Sequence, residues 1–245
     1  MKMKLPTLTG LGLVLFMTAG AMPLRGQEAP EVSLGVDLVS RYIWRGINVG
    51  DAPSVQPSLS LEVRGFEIGA WGAYSLSNEI TAGDEIDLWL GYGFELPGGG
   101  EAGLVLTDYY FPNAGEPFSN FNNYDDEDGP GAHILELGGS FTFPSFPLTL
   151  AGYVNVYNDA GNNIYLQADY PFMVGETSLN LFAGATPGSE DNPDLYGTED
   201  FAFINLGLSA SKNLPITSQF SLPVSGSFII NPNVDIAYFV VGISL

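Results

Sequence analysis

The one histidine of the chain, His133, has the side chain best suited to acid–base or metal chemistry near neutral pH. A serine two residues along the same strand could serve as its nucleophilic partner, but that position is Leu135. The chain has no cysteine, so the usual ligand spacing of a zinc site is missing. These residues predict no catalytic group, no cofactor and no enzymatic activity.

Carboxylates are the abundant reactive group of this sequence, with 28 acidic residues against seven basic ones. Four of them stand in a row, as Asp125, Asp126, Glu127 and Asp128. Because Ca²⁺ binds several oxygen atoms, this run is a weak candidate for a calcium site. It is not an EF-hand, since Tyr124 and Leu135 occupy two of the ligand positions. The alternative is a solvated anionic loop that divalent cations bridge at a cell surface.

The net charge of −21 also restricts the partners of the chain. Nucleic-acid binding depends on neutralising phosphates with lysine and arginine, and this sequence has the opposite balance. We therefore expect no nucleic-acid partner.

The N-terminal residues have the pattern of an export signal. Lys2 and Lys4 precede a short apolar stretch at 11–16, and Ala19-Gly20-Ala21 matches an A-x-A cleavage site. The sequence predicts a signal peptide over 1–21, with cleavage after 26 as the alternative, and a mature domain over 22–245. Beyond the signal, no apolar run approaches the roughly 18 residues of a membrane-spanning helix.

From Glu31 onward, apolar and small polar residues alternate with a period of two. The alternation is clearest over 86–94, where Ile, Leu, Leu, Tyr and Phe alternate with Asp, Trp, Gly and Gly. It predicts about twelve strands, most of them near the roughly 9–11 residues that a tilted membrane strand needs. The predicted strands are 31–44, 54–63, 66–76, 84–96, 101–111, 132–143, 147–157, 162–171, 176–186, 199–212, 215–230 and 233–245.

The connections between these strands alternate in length. Short turns lie at 64–65, 97–100, 144–146 and 213–215, and longer loops at 45–53, 77–83, 112–131 and 187–198. Outer-membrane barrels have short periplasmic turns and longer extracellular loops. An even number of strands would place both termini in the periplasm.

The two faces of the strands favour a barrel over a soluble β-sandwich, the alternative for an all-β chain. One face is strongly apolar and the other small and polar, which suits lipid outside and a polar lumen inside. Aromatic residues near predicted strand ends suit interfacial girdles: Tyr42, Trp44, Tyr109, Phe111, Phe141, Phe143, Tyr170 and Phe201. The fold class is therefore an all-β, single-chain transmembrane antiparallel barrel, in which Tyr42 and Trp44 face lipid and Arg45 lies near headgroups or reaches an acidic loop. A constriction role for Arg45 is the alternative.

The charged residues on the polar face are the candidates for lining a pore: Asp37, Arg41, Glu62, Glu67, Asp87, Glu95, Glu136 and Asp169. Charges inside a barrel need partners or water. If the lumen is open, the excess of carboxylates predicts a preference for cations. If it is closed, the same side chains form a hydrogen-bonded plug, and strand number alone does not decide between the two.

Residues 36–48 and the two segments that follow resemble the N-terminal signature of TorF-type porins, a family of conserved hypothetical outer-membrane β-barrel proteins. The resemblance covers about the first quarter of the mature chain. It is carried by Ser40, Tyr42, Arg45, Gly46, Pro53, Val55, Gln56, Gly65, Gly69, Trp71 and Ser75. It implies a barrel with a pore, and brings no substrate and no characterised site.

Two classes of function remain open at this point. The leading expectation is a porin-like channel for passive diffusion of small hydrophilic solutes, surrounded by outer-membrane lipid and lipopolysaccharide. The alternative is a closed structural or adhesive barrel whose acidic loops bind ions. An outer-membrane hydrolase would have to depend on His133.

Overall fold

The computed structural model describes residues 29–77 and 84–245. They form a closed barrel of antiparallel strands and one separate two-stranded hairpin. The strands in chain order are β1 (Glu31–Val39), β2 (Tyr42–Trp44), β3 (Ile47–Gly50), β4 (Ser54–Val63), β5 (Phe66–Ser75), β6 (Glu85–Glu95), β7 (Glu101–Tyr110), β8 (His133–Thr142), β9 (Thr149–Tyr157), β10 (Ile164–Val174), β11 (Thr177–Thr186), β12 (Ala202–Pro215), β13 (Ser221–Asn231) and β14 (Ile236–Ser244).

Twelve strands form the barrel wall, and β2 and β3 form the hairpin. Each wall strand pairs with its neighbours in the chain, and β1 pairs with β14 to close the cylinder. This architecture confirms the predicted fold class. In the described ranges, no helix is long and apolar enough to cross a membrane.

The wall is apolar outside and polar inside. Leu34 and Phe239 on the outer face are 80% and 70% exposed, whereas Asp87 and Glu136 on the inner face are 0% and 2% exposed. Successive side chains of a strand point to opposite faces, so the period of two in the sequence produces this inversion directly. The barrel therefore has the distribution expected of a protein surrounded by hydrocarbon.

The two ends of the barrel differ. Short connections at 64–65, 96–100, 143–148, 175–176 and 216–220 lie at one end, which we call the turn end. The opposite end, the loop end, carries the connections at 40–53, 76–84, 111–132, 158–163, 187–201 and 232–235. The predicted signal peptide over 1–21 and most of the predicted loop at 77–83 lie outside the described residues.

The main departure from prediction is the first strand. It ends at Val39 and not at residue 44, and the chain continues as the β2–β3 hairpin. Arg45 and Gly46 have positive φ angles of 49° and 80°, as a tight two-residue hairpin turn requires. The prediction that Tyr42 and Trp44 face lipid is wrong.

The hairpin lies inside the barrel at the loop end. Its turn contacts β13, the second strand from β1 around the barrel, where Asn231 Nδ2 donates a hydrogen bond to the Gly46 carbonyl oxygen at 3.2 Å. A Cβ atom on Gly46 would overlap the Ile204 carbonyl oxygen. Glycine is therefore required here both by the backbone angle and by the close approach to β12.

Apolar contacts seat the hairpin in the barrel. Ile43 is 2% exposed and packs in a cluster with Val39, Phe182, Ile229 and Val240 of the wall. A second cluster surrounds Ile204 and includes Trp44 and Ile47 of the hairpin. One sector of the inner wall is therefore apolar at this level, which gives the hairpin an apolar surface to bury.

The predicted aromatic girdles are also corrected in part. Tyr42 and Tyr109 are buried inside the barrel, 5% and 4% exposed, because they belong to the hairpin contact region. Phe143 and Phe201 are exposed at opposite ends of the barrel. The girdle interpretation fits these two residues and not the first two.

We predict that Gly46→Ala lowers the free energy of unfolding by about 2–4 kcal/mol, from backbone strain plus overlap with β12. Chemical unfolding of the refolded barrel in detergent measures it. Gly50→Ala is the matched control, since a Cβ on Gly50 meets no atom within 4 Å. Equal stability of the two variants would contradict a tightly seated hairpin.

Candidate functional site

Arg45 lies at the centre of the closed part of the barrel. Its two terminal nitrogens donate to the two carboxylate oxygens of Glu136 at 2.6 and 2.7 Å. Arg45 is 6% exposed, so this ion pair is almost completely removed from solvent. Such a two-pronged contact is the strongest geometry for an arginine–carboxylate pair.

Aromatic rings surround the same guanidinium group. Its central carbon lies 4.4, 4.6 and 4.5 Å from the ring centroids of Trp44, Tyr153 and Tyr165. The Tyr196 hydroxyl accepts a hydrogen bond from Arg45 Nη1 at 2.8 Å. We call Glu136, Trp44, Tyr153, Tyr165 and Tyr196 the arginine cage. Its rings stabilise the buried cation through their negative faces.

A further layer of hydrogen bonds orients the cage. The Tyr109 hydroxyl donates to Glu136 at 2.9 Å, and Asn205 Nδ2 donates to the Tyr165 hydroxyl at 2.8 Å. Trp44 stacks on Tyr196 with the two rings 14° from parallel. Burial raises the pKa of Tyr196 to about 12, so its hydroxyl stays neutral while it accepts from Arg45.

Two more buried carboxyl groups lie beside the hairpin. The Tyr42 hydroxyl donates to Glu85 at 2.8 Å, and its ring meets the edge of Trp71. Neither carboxylate oxygen of Asp87 accepts a hydrogen bond. The Glu85 carboxyl group is the neighbour of Asp87. Glu85 and Asp87 are two residues apart on β6, so both carboxyl groups project into the lumen. Within the described residues, Arg45 is therefore a buried cation among several buried carboxyl groups.

A polar network joins two loops at the loop end and holds Tyr196 in place. Asp159, in the 158–163 connection, accepts hydrogen bonds from Asn155 at 2.7 Å and from Asn192 at 2.8 Å. Asn163 contributes its backbone N–H at 3.0 Å. Burial alone would raise the pKa of Asp159, but these hydrogen bonds outweigh it and hold the pKa below its ordinary value. Asn192 and Tyr196 share the 187–201 connection, so the network positions one wall of the cage.

The inner face towards the turn end is different. Its inward residues are mostly serine and glycine, and they are partly exposed: Gly35, Ser58, Ser60, Gly69, Gly93, Gly103, Ser140, Ser209, Ser211 and Ser225. Glu62 stands opposite Glu67 and Glu95 opposite Glu101 in the strand register. Solvent thus reaches a small-residue vestibule with carboxylates near its opening, while the loop end is filled.

The structure places seven of the eight candidate pore residues on the inner face. Asp37, Glu62, Glu67, Asp87, Glu95, Glu136 and Asp169 all occupy inward positions of their strands. Glu136 and Asp87 come together around the hairpin. Asp169 accepts hydrogen bonds from Asn180 and Gln167.

Arg41 is the exception. It lies beyond the end of β1, where it pairs with Asp51 at 3.4 Å and approaches the Tyr238 ring at 6.0 Å. Its side chain is 36% exposed. Its predicted position on the inward face of β1 is wrong, because the strand ends two residues earlier.

His133 lies on the outer face, under the 111–132 connection. Its Nδ1 is 2.8 Å from Asp108, its Nε2 donates to the Phe118 carbonyl at 2.7 Å, and its ring stacks on Phe121 at 4.0 Å. Asp125–Asp128 are exposed at the tip of this loop. In the described ranges, no group of three or more His, Cys, Asp or Glu side chains is arranged to hold a metal ion.

The cage residues Tyr153, Tyr165 and Tyr196 were absent from the sequence prediction, and Arg45 appeared there as a strand-end residue with a constriction role as the alternative. A usable signal existed for Arg45. The dipeptide Arg64-Gly65 is a turn with φ angles of 53° and 83°, and Arg45-Gly46 repeats both the residues and the angles. The tyrosines carried no such signal, since each is one inward residue of an ordinary strand or loop.

We predict that Glu136→Gln destabilises the protein by about 3–5 kcal/mol, because it leaves a buried guanidinium without its counter-charge. Unfolding in detergent by denaturant measures this loss. The control is Glu176→Gln, which breaks an ion pair to Lys212 that is largely exposed and should cost about 1 kcal/mol or less. Similar losses for both variants would argue against a buried central pair.

We also predict an acid-sensitive loop contact. Because the folded pKa of Asp159 is below its unfolded value, its contribution is complete above about pH 4 and is lost as the pH falls below that. The protection factors of the amides of residues 187–201 against hydrogen exchange, corrected for the intrinsic pH dependence of exchange, should therefore fall in acid. Asp159→Asn should abolish this pH dependence. An unchanged acid response in the variant would assign it to another group.

Comparison with known proteins places the chain in a family. Residues 25–229 match the family model described as "Bacterial protein of unknown function (Gcw_chp)". No curated protein matches the chain. A solved structure described as "Unveiling the Mechanism Behind the in-meso Crystallization of Membrane Proteins" is 12% identical with a TM-score of 0.50, over 89% of this chain and 83% of that chain, a likeness of fold alone. The family match spans most of the sequence, and the protein belongs to the Gcw_chp family of bacterial proteins of unknown function.

Proposed function

We propose that this protein is an outer-membrane channel of the TorF type, through which small hydrophilic solutes diffuse with a preference for cations. The closed barrel, its apolar outer face and the export-like N-terminus support the outer membrane as its location. The TorF resemblance of residues 36–75 supports the assignment to a pore-forming group.

The observation that carries the proposal is the hairpin folded into the lumen. A barrel of this size encloses more space than its wall side chains need, and here a separate segment fills that space at one end only. The other end is a solvent-accessible vestibule. A wall with one obstruction that is not part of the wall itself is the arrangement of a constricted channel.

The charges of the vestibule support cation preference. Glu62, Glu67, Glu95 and Glu101 occupy inward strand positions near the turn end. The inward strand positions of the described ranges carry no basic residue there, and Arg64 lies in the turn between Glu62 and Glu67. Carboxylate rings raise the local concentration of cations and lower that of anions. Arg45, the buried basic residue, is already neutralised by Glu136.

A closed structural or adhesive barrel is the second candidate. It is favoured by the near-complete burial of Arg45, Ile43 and Tyr42, which form a permanent seal if the hairpin never moves. In that case the exposed Asp125–Asp128 loop would carry the function through surface ions.

We predict that removing the hairpin increases single-channel conductance severalfold in planar bilayers. Val39 and Ser54 are paired in register, so replacing residues 40–53 by Asn-Gly joins β1 and β4 through a two-residue turn. The reversal potential in a salt gradient should indicate cation preference in both proteins. Lys212 lies outside the constriction, so the Lys212→Ala variant is the control and should have the same conductance as the wild type.

The same recordings decide between the two candidates. If neither the wild type nor the hairpin-deleted variant conducts, the channel proposal fails and the closed barrel remains. Equal conductance of the two proteins would show that the hairpin is not the constriction.

A further inference from the structure

We propose that the arginine cage is a binding site for the guanidinium group of a small solute, and that Arg45 occupies it as a tethered ligand. The biological use of such a site rests on the proposed channel function, whereas the binding itself does not. The argument depends on which groups belong to the wall and which to the hairpin.

Most of the cage remains if the hairpin leaves. Glu136, Tyr153 and Tyr165 are on β8, β9 and β10, and Tyr196 is in the 187–201 connection. Of the cage residues, only Trp44 belongs to the hairpin and would leave the lumen together with Arg45. The wall thus keeps a carboxylate, two ring faces and a hydroxyl acceptor, all within contact distance of one point in the lumen.

The wall part of the cage is held by contacts that do not involve the hairpin. Tyr109 orients Glu136, Asn205 orients Tyr165, and the Asp159 network positions the loop of Tyr196. The site is therefore preorganised, which reduces the conformational entropy lost on binding. It is also electrostatically incomplete without a cation, because Glu136 would lose its counter-charge and keep only the hydrogen bond from Tyr109.

The geometry selects a guanidinium group over other cations. Both Glu136 oxygens are used by the two terminal nitrogens of one planar group, and the rings of Tyr153 and Tyr165 lie against it at 4.6 and 4.5 Å. A compact ammonium ion lacks the paired donors and the flat face. A neutral molecule of the same shape, such as urea, lacks the charge that Glu136 requires.

Arg45 and a free guanidinium compound cannot occupy the cage together. Binding of the solute must therefore favour the state in which the hairpin has withdrawn, and a seated hairpin must weaken binding of the solute. The acidic vestibule at the turn end concentrates such a solute near the site. The proposed channel would then favour small guanidinium-bearing solutes among cations.

The test is chemical rescue of Arg45→Ala with methylguanidinium chloride. At about five times its dissociation constant, the compound should raise the melting temperature of this variant by about 2–4 °C. It should have no comparable effect on the wild type, whose cage is filled. Urea and sodium chloride at the same concentrations control for shape without charge and for ionic strength.

Arg45→Ala/Glu136→Gln is the matched control variant. It removes the cage carboxylate together with the cation, so it should fold and lose the response to methylguanidinium. If Arg45→Ala does not fold alone, its refolding yield with and without the compound becomes the measurement. Recovery of folding only with methylguanidinium supports the proposal.

Three outcomes would overturn the inference: no stabilisation or refolding of Arg45→Ala, an equal effect of urea or sodium chloride, or an undiminished response in the double variant. These results are independent of the bilayer recordings. A protein that binds methylguanidinium but never conducts refutes the channel and keeps the site. A protein that conducts but is not rescued by methylguanidinium refutes the binding site and keeps the channel.

Discussion

The buried charge of Arg45 is the constraint on which the loop end of this barrel depends. A guanidinium removed from water needs a counter-charge, hydrogen-bond acceptors and polarisable neighbours, and here they come from four different parts of the chain: β2, β8, the paired strands β9 and β10, and the 187–201 connection. None of these contacts forms unless the barrel is closed and the hairpin is inside it. The ion pair therefore gives little net attraction by itself, but it penalises every arrangement in which the hairpin sits elsewhere.

The wall of the barrel was predictable because one physical rule determines it. Strands between lipid and a polar lumen must alternate, and the runs at 84–96 and 101–111 show this so clearly that their observed ends differ from prediction by only a residue or so. The rule gives no information where a segment leaves the wall. Residues 40–50 alternate as well, since a hairpin is also made of strands, and periodicity alone assigned Tyr42 and Trp44 to the wrong environment. The repeated Arg-Gly dipeptide was the local signal of a turn there.

The candidate site was predictable only in its carboxylates. The inward direction of acidic residues such as Glu136 follows from the alternation of side chains along each strand. The alternation does not tell which of these residues meet across the lumen, because they lie on strands all the way from β1 to β10. The contact between Arg45 and Glu136 joins residues 91 positions apart and depends on how far the hairpin reaches. Likewise His133, chemically the most suggestive residue, is a buried support for an outer loop, held by Asp108 and the Phe118 carbonyl. The types and spacing of residues in the sequence identified the reactive groups. The partners of these groups depend on the three-dimensional path of one short segment, the β2–β3 hairpin.

The seam between β1 and β14 has a consequence for assembly. Within the described residues its strand register covers Asp37–Val39, with backbone hydrogen bonds between Val36 and Leu245 and between Ser40 and Val241 at its two ends, which makes it the shortest pairing in the wall. The hairpin begins three residues after Val39. The segment that fills the lumen is thus attached to the strand that completes the cylinder. A chain that closes β1 onto β14 with the hairpin outside the lumen would leave Glu136 without its counter-charge and Ile43 without its apolar contacts. The closed seam is therefore compatible with the full set of lumen contacts only when the hairpin is already inside.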